Sequence, residues 1–235
     1  MCRNGGITLL REILSGNIGF ADAIVFILSA LAVIFLTMPV HEFAHGFVAV
    51  KLGDNTPRWQ GRLSLNPFAH IDYMGALCIL LLGFGWAKPV QVNMRNFKNP
   101  KADMAITALA GPVANIIVAF FGFFLASLCD FVIVLTSLNI LSFVSFFFWY
   151  VAYLNVTLAI FNLIPIPPFD GSRIMGAFLP DRIYYRIMQY ERIIFIVLIA
   201  LLWTGVLELP INGAVRAVTG ILEYVTQLPF GLILS

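Results

Sequence analysis

Apolar residues in this chain come in long unbroken runs rather than at amphipathic intervals. One run starts at Ala23 and carries no formal charge before Glu42. A second, residues 104–129, lies between Asp103 and Asp130. A third occupies the charge-free residues 131–169, with one helix expected over about 141–163. A fourth begins at Ile193 and ends near Glu208. Runs of this kind read as membrane spans. A fifth, residues 74–86, covers only about 20 Å as a helix, short of the roughly 30 Å hydrocarbon core. It is expected to be re-entrant or interfacial. Two stretches alternate instead. Residues 58–65 place Trp59, Gly61, Leu63 and Leu65 on one face, and residues 90–95 do the same with Val90, Val92 and Met94. Period two predicts strands. The expected architecture is an all-α polytopic membrane protein with about four to five transmembrane helices, a re-entrant segment and a small cytoplasmic-side β-sheet. Residues 1–22 form an N-terminal segment, 23–209 the membrane domain, and 210–235 an amphipathic tail suited to the interface.

Composition sharpens this picture. Hydrophobic residues make up 60% and charged residues 11%, against about 45–50% and 25% in soluble domains. Too little charge remains to cover a soluble globule, which excludes a disordered chain, a nucleic-acid binder and an ordinary cytosolic enzyme. The net charge of +2 says less than its distribution. Lys51, Arg58, Arg62, Lys88, Arg95, Lys98 and Lys101 lie in one connection, and Arg173, Arg182, Arg186 and Arg192 in another. With four spans both fall on one side, which the positive-inside rule makes cytoplasmic. A multi-pass protein of the cell membrane is expected. The three cysteines are scattered and form no CxxC pair, so neither a disulfide framework nor a cysteine metal site is indicated.

Against that background His41-Glu42-Phe43-Ala44-His45 stands out. An uncompensated ion near a bilayer centre costs at least about 2.5–3.5 kcal/mol. Positions i and i+4 of a helix share a face, so His41 and His45 can offer ring nitrogens to one ion. Glu42, one position along, reaches a water on that ion without being a ligand. A single zinc ion would offset the burial and lower the water's pKa to about 7. Glu42 would then act as general base. The pair precedes Lys51 by few enough residues to set the metal about 9–15 Å below the basic surface, within the bilayer and towards the cytoplasm.

Zinc needs a third protein ligand. Asp170 follows the third span in Ile164-Pro165-Ile166-Pro167-Pro168-Phe169-Asp170-Gly171. Three prolines in four positions end the helix and carry Asp170 at the depth of the histidines. The other acids flank spans or lie in loops.

Together these elements resemble the site-2 protease family of intramembrane zinc metalloproteases, in particular its short bacterial-type members without a PDZ domain. His41 to His45 match that family's HExxH helix, and Asn162, Pro165, Asp170 and Gly171 its Asn-to-Asp-Gly motif. Gly111-Pro112-Val113-Ala114-Asn115 resembles its G-P-x-x-N element, and residues 61–72 the loop of the short members. Ser172 stands where a second glycine is often seen. The resemblance implies Glu42 as catalytic residue, His41, His45 and Asp170 as ligands, and substrate-binding or transition-state support from Asn115, Asn162, Gly111 and Pro165. Asn115 and Asn162 read equally as interhelical hydrogen-bonding residues. His70 reads as a residue approaching the metal or as a loop residue. The expected partners are a transmembrane protein or peptide substrate and the lipid bilayer, with no nucleic acid; the oligomeric state is open. Two alternatives are a metal-ion transporter built on the same three ligands and an inactive helix-binding protein of the same fold.

Overall fold

The computed structural model describes residues 19–70, 72–82 and 88–234. The N-terminal 18 residues and residues 83–87, which include the end of the segment expected to be re-entrant, lie outside the described residues. The described chain is helical, with no strand among the described residues.

The first apolar run forms α1 (Phe20–Ala32), a π-helical turn (Val33–Thr37) and α2 (Met38–Lys51). A short α3 (Thr56–Trp59) and α4 (Tyr73–Leu82) precede the long α5 (Pro100–Thr136). Then come α6 (Leu141–Leu163), α7 (Asp170–Gly176), α8 (Asp181–Gln189), α9 (Glu191–Trp203) and α10 (Glu208–Leu234). Among the described residues, three helices are long and apolar enough to cross a membrane: Ala21–Lys51, Pro100–Thr136 and Leu141–Leu163. The fourth expected span divides. Its 13-residue α9 covers about 20 Å, and a turn with Gly205 at φ +76° leads into α10. The tail is one 27-residue helix laid along α5 and α6 rather than an isolated segment.

The middle long helix runs antiparallel to the other two, which run parallel to each other. Ser29 Oγ donates to the Phe147 carbonyl at 3.3 Å and Phe26 meets Tyr150 edge-to-face, tying α1 to α6. Ser145 Oγ donates to the Ala126 carbonyl at 3.3 Å, tying α6 to α5. Lipid is as apolar as the side chains, so helices in it gain from close packing and such hydrogen bonds rather than from apolar burial alone. The small residues Ala108, Ala119 and Ala126 are all buried on α5. Ile106, Leu109, Val113, Ile117 and Phe121 lie on its exposed side, as a helix facing acyl chains requires. A core of Ala119, Phe123, Ala152, Val156, Leu198, Leu202, Ile211 and Val215 joins α5, α6, α9 and α10.

The expected β-sheet is corrected. Pro57 sits in the first turn of α3, where its fixed φ suits a helix, and Gly61 turns the chain at φ +67°. Residues 90–95 keep their alternation: Val90 is buried and Val92 and Met94 are half-buried, while Gln91, Asn93 and Arg95 are exposed. What is missing is a partner strand. The N–H groups of Val90 and Asn93 donate to the Glu42 and Asp54 carboxylates instead, at 2.9 and 2.7 Å.

Candidate metal centre

The i, i+4 spacing on α2 brings the imidazoles of His41 and His45 together, Nε2 to Nε2 at 3.0 Å. Both rings are buried. From the other side Asp170, the first residue of α7, directs Oδ2 to within 3.3 Å of His41 Nε2 and 3.1 Å of His45 Nε2. The chain reaches that point by doubling back on the end of α6. A Cβ on Gly171 would lie 2.4 Å from the Leu163 and Ile164 carbonyl oxygens, so only glycine permits the approach.

The donor set fits zinc. His45 Nδ1 lies 2.7 Å from the Thr107 carbonyl oxygen, which can only accept, so Nδ1 carries the proton and Nε2 is left with its lone pair. Ligand atoms about 2.0–2.1 Å from a tetrahedral ion stand about 3.3 Å apart. The three observed separations of 3.0, 3.1 and 3.3 Å are close to that edge. Two imidazole nitrogens and one carboxylate oxygen leave a fourth position open, as in catalytic zinc sites.

Glu42, 7% exposed, lies beside this cluster. Val90 N–H holds its Oε2 at 2.9 Å, and Oε1 makes no hydrogen bond to a described residue. A cavity of about 330 Å³ contains His41, Glu42, His45, Asn115, Asn162, Asp170 and Arg173 in its wall. Asn115 is 2% exposed, and its Nδ2 has no hydrogen-bond partner among the described residues. Gly111 is not in that wall. It lies against the imidazoles, where a Cβ would stand 2.3 Å from His45 Nε2 and 2.6 Å from His41 Nε2. Pro165 is exposed and away from the cavity. His70 is 1% exposed; its Nε2 donates to the Ser64 carbonyl at 2.8 Å, and its own carbonyl accepts from Lys88 N–H at 2.8 Å. Those bonds tie the loop after α3 to the segment that leads to Val90.

Sequence reasoning missed three supports of the site. Thr107 acts through a backbone carbonyl and Val90 through a backbone N–H, and neither leaves a side-chain signature. The third is Asp54, fully buried just past α2. Its carboxylate accepts from Thr56 N–H and Oγ1 at 3.0 and 2.5 Å, from Asn93 N–H at 2.7 Å and from Asn96 Nδ2 at 2.7 Å. Burial alone would push its carboxyl pKa up, but these donors hold it below the usual carboxylate range. The only signal for it was an Asp-x-Thr turn beside a membrane helix.

A histidine pair on a helix long and apolar enough to cross a membrane, a carboxylate converging on it from a second element and a glutamate between the histidines are the features of a membrane metallopeptidase. Residues 130–205, which include Asp170, match peptidase family M50. The chain is 42% identical over 173 residues to "Putative zinc metalloprotease YwhC" of Bacillus subtilis, covering 72% of this chain and 77% of that one. It is 31% identical to "Putative zinc metalloprotease MJ0611" of Methanocaldococcus jannaschii, over 65% of this chain and 71% of that one. Against "Putative zinc metalloprotease Rip2" of Mycolicibacterium smegmatis identity is 27%, over 74% and 66%. No solved structure matches. The chain belongs to peptidase family M50, the site-2 proteases.

Proposed function

We propose that this chain is a zinc-dependent endopeptidase that hydrolyses a peptide bond in or near the transmembrane segment of another membrane protein. The convergence of His41 Nε2, His45 Nε2 and Asp170 Oδ2, with Glu42 beside them in one cavity, carries this reading. His41, His45 and Asp170 would hold the ion, and zinc held there would supply Lewis acidity that acidifies a water. Glu42, with Oε2 fixed by Val90, uses Oε1 to take a proton from that water and to return it to the leaving amine nitrogen. Asn115 Nδ2, a buried donor with no partner among the described residues, hydrogen-bonds the substrate carbonyl oxygen as charge develops on it. Asn162 lines the same cavity and orients the substrate chain.

A helical substrate hides its carbonyls, so it unwinds to enter. The basic connection that starts at Lys51 and the loop after α6 lie at the metal-bearing end of the helices, and we assign that end to the cytoplasm. A span beyond the three long helices is assigned to α9 and α10 together.

The test is reconstitution of the full chain with a model transmembrane substrate. Glu42→Gln abolishes cleavage while zinc content stays at one ion per chain, and a chelator abolishes both. Cleavage that survives Glu42→Gln sinks the mechanism. Normal zinc-driven ion flux through Glu42→Gln vesicles, without proteolysis by the wild type, would favour transport.

A further inference from the structure

Among the described residues, the cavity wall contains one cation, Arg173, that the mechanism does not use. It lies one helical turn after Asp170 on α7 and so shares that residue's face. It is half-buried and makes no hydrogen bond or ion pair with any described residue. Neither carboxylate of the cavity neutralises it. Glu42 accepts from Val90 N–H, and Asp170 Oδ2 is directed at the two imidazoles. Lys101 shows the contrast. It shares a narrow neighbouring cleft with Arg173 and is satisfied there by Asp181 at 2.8 Å and the Leu179 carbonyl at 2.9 Å.

A guanidinium drawn out of bulk water with no counter-ion is unfavourable, and it presents a planar fork of donors shaped for a carboxylate. Proteolysis offers carboxylates in this cavity from two sources. An acidic side chain can flank the scissile bond. Hydrolysis itself also makes one: as the C–N bond breaks, the acyl carbon keeps the water oxygen and ends as a carboxylate, while the amine nitrogen gains a proton.

We propose that Arg173 is the carboxylate-binding residue of the cleavage cavity. It selects substrates with an acidic residue beside the cut, or holds the newly formed C-terminus. This deepens the proteolytic reading and rests on it.

The test uses the zinc-loaded full chain in two series. The first compares model transmembrane substrates with Asp, Asn or Lys at each position flanking the cut. The second measures binding, by fluorescence anisotropy, of the N-terminal product fragment with a free carboxylate or with a C-terminal amide. Wild type is expected to favour the carboxylate about tenfold or more in at least one series. Arg173→Gln reduces that ratio to near one with zinc content unchanged. If the substrate side chain is the source, Arg173→Glu inverts the preference towards Lys. Arg173→Lys, which keeps the charge and loses the fork, retains part of the ratio and guards against misfolding of the neutral variant. Equal ratios for wild type and Arg173→Gln in both series overturn the proposal. Failure of the wild type to cut any substrate sinks the proteolytic reading instead, while the binding series still reports on Arg173.

Discussion

The three candidate metal ligands and the proposed general base sit within one cavity but are held by different parts of the molecule. The ligands depend on helices in close contact. α2 supplies both imidazoles, α5 supplies the Thr107 carbonyl and the space at Gly111, and the start of α7 supplies Asp170. Glu42 is also on α2, but its carboxylate is held by the irregular stretch that runs from residue 88 towards α5, through Val90 N–H. That stretch is anchored by Asp54, just past the end of α2. Close helix packing places the candidate ligands, and hydrogen bonds to carboxylates place the proposed base. The difference predicts that damage to one part should leave the other's signature intact.

The largest effect is expected at Gly111. Gly111→Ala places a methyl group within van der Waals overlap of both imidazoles, 2.3 and 2.6 Å from their Nε2 atoms. The helices must separate or the rings must turn. Either change lowers zinc affinity by about 100-fold or more, at the upper end of effects seen around metal ligands. Zinc titration of the purified variant measures this, and activity should fall in parallel. Full zinc occupancy at wild-type affinity would show that α5 does not set the ligand geometry.

Asp54→Ala should give the opposite pattern. It leaves the Asn93 N–H, the Asn96 amide and the Thr56 donors without their acceptor, at a cost of about 2–4 kcal/mol in stability. The segment that presents Val90 loosens, and kcat falls by about 10–100-fold because the base is misplaced. Zinc content should not change. Loss of zinc together with activity would merge the two parts into one and remove the distinction.

The same carboxylate gives the comparison a pH dependence. The folded pKa of Asp54 lies below the ordinary value. Its stabilisation is therefore fully present above about pH 4, the unfolded value, and is lost as pH falls through the folded one. Thermal unfolding in detergent should show the advantage of wild type over Asp54→Asn shrinking on acidification. A constant difference down to pH 3 would mean that charge on Asp54 contributes nothing.

The sequence revealed the helix-packed part far better than the hydrogen-bonded part, for a physical reason. His41 and His45 are expensive in lipid, and their spacing has one helical meaning. Asp170 was legible because three prolines cannot continue a helix. Residues 141–163 were legible because an uncharged run between turn residues has one membrane solution, and the structure places α6 over those residues. The strands at 58–65 and 90–95 failed differently. Alternation records which side chains face the interior, and at 90–95 it does so correctly. It does not record what the backbone bonds to, and here the acceptors are two aspartate and glutamate side chains distant in sequence. The fourth run was only partly legible, because α9 ends at Trp203 and a turn at Gly205 precedes α10, so neither the run nor its helix has the length of the other three.

The smallest effect is expected where the geometry is good but water is near. Lys101 Nζ lies 2.8 Å from Asp181 Oδ1, comparable in distance to the bonds around Asp54. The two side chains are 41% and 66% exposed, however. In that setting water and salt screen the pair, and holding two mobile side chains costs entropy, so such a pair is worth about 0–1 kcal/mol. Asp181→Ala should therefore lower the unfolding temperature only marginally, and raising the salt concentration should erase the difference. Zinc affinity and kcat should match wild type. A loss as large as that from Asp54→Ala would show that α8 is braced against the start of α5 as tightly as the segment carrying Val90 and Asn93 is braced against α2, which would extend the hydrogen-bonded part of the site to the far side of Arg173.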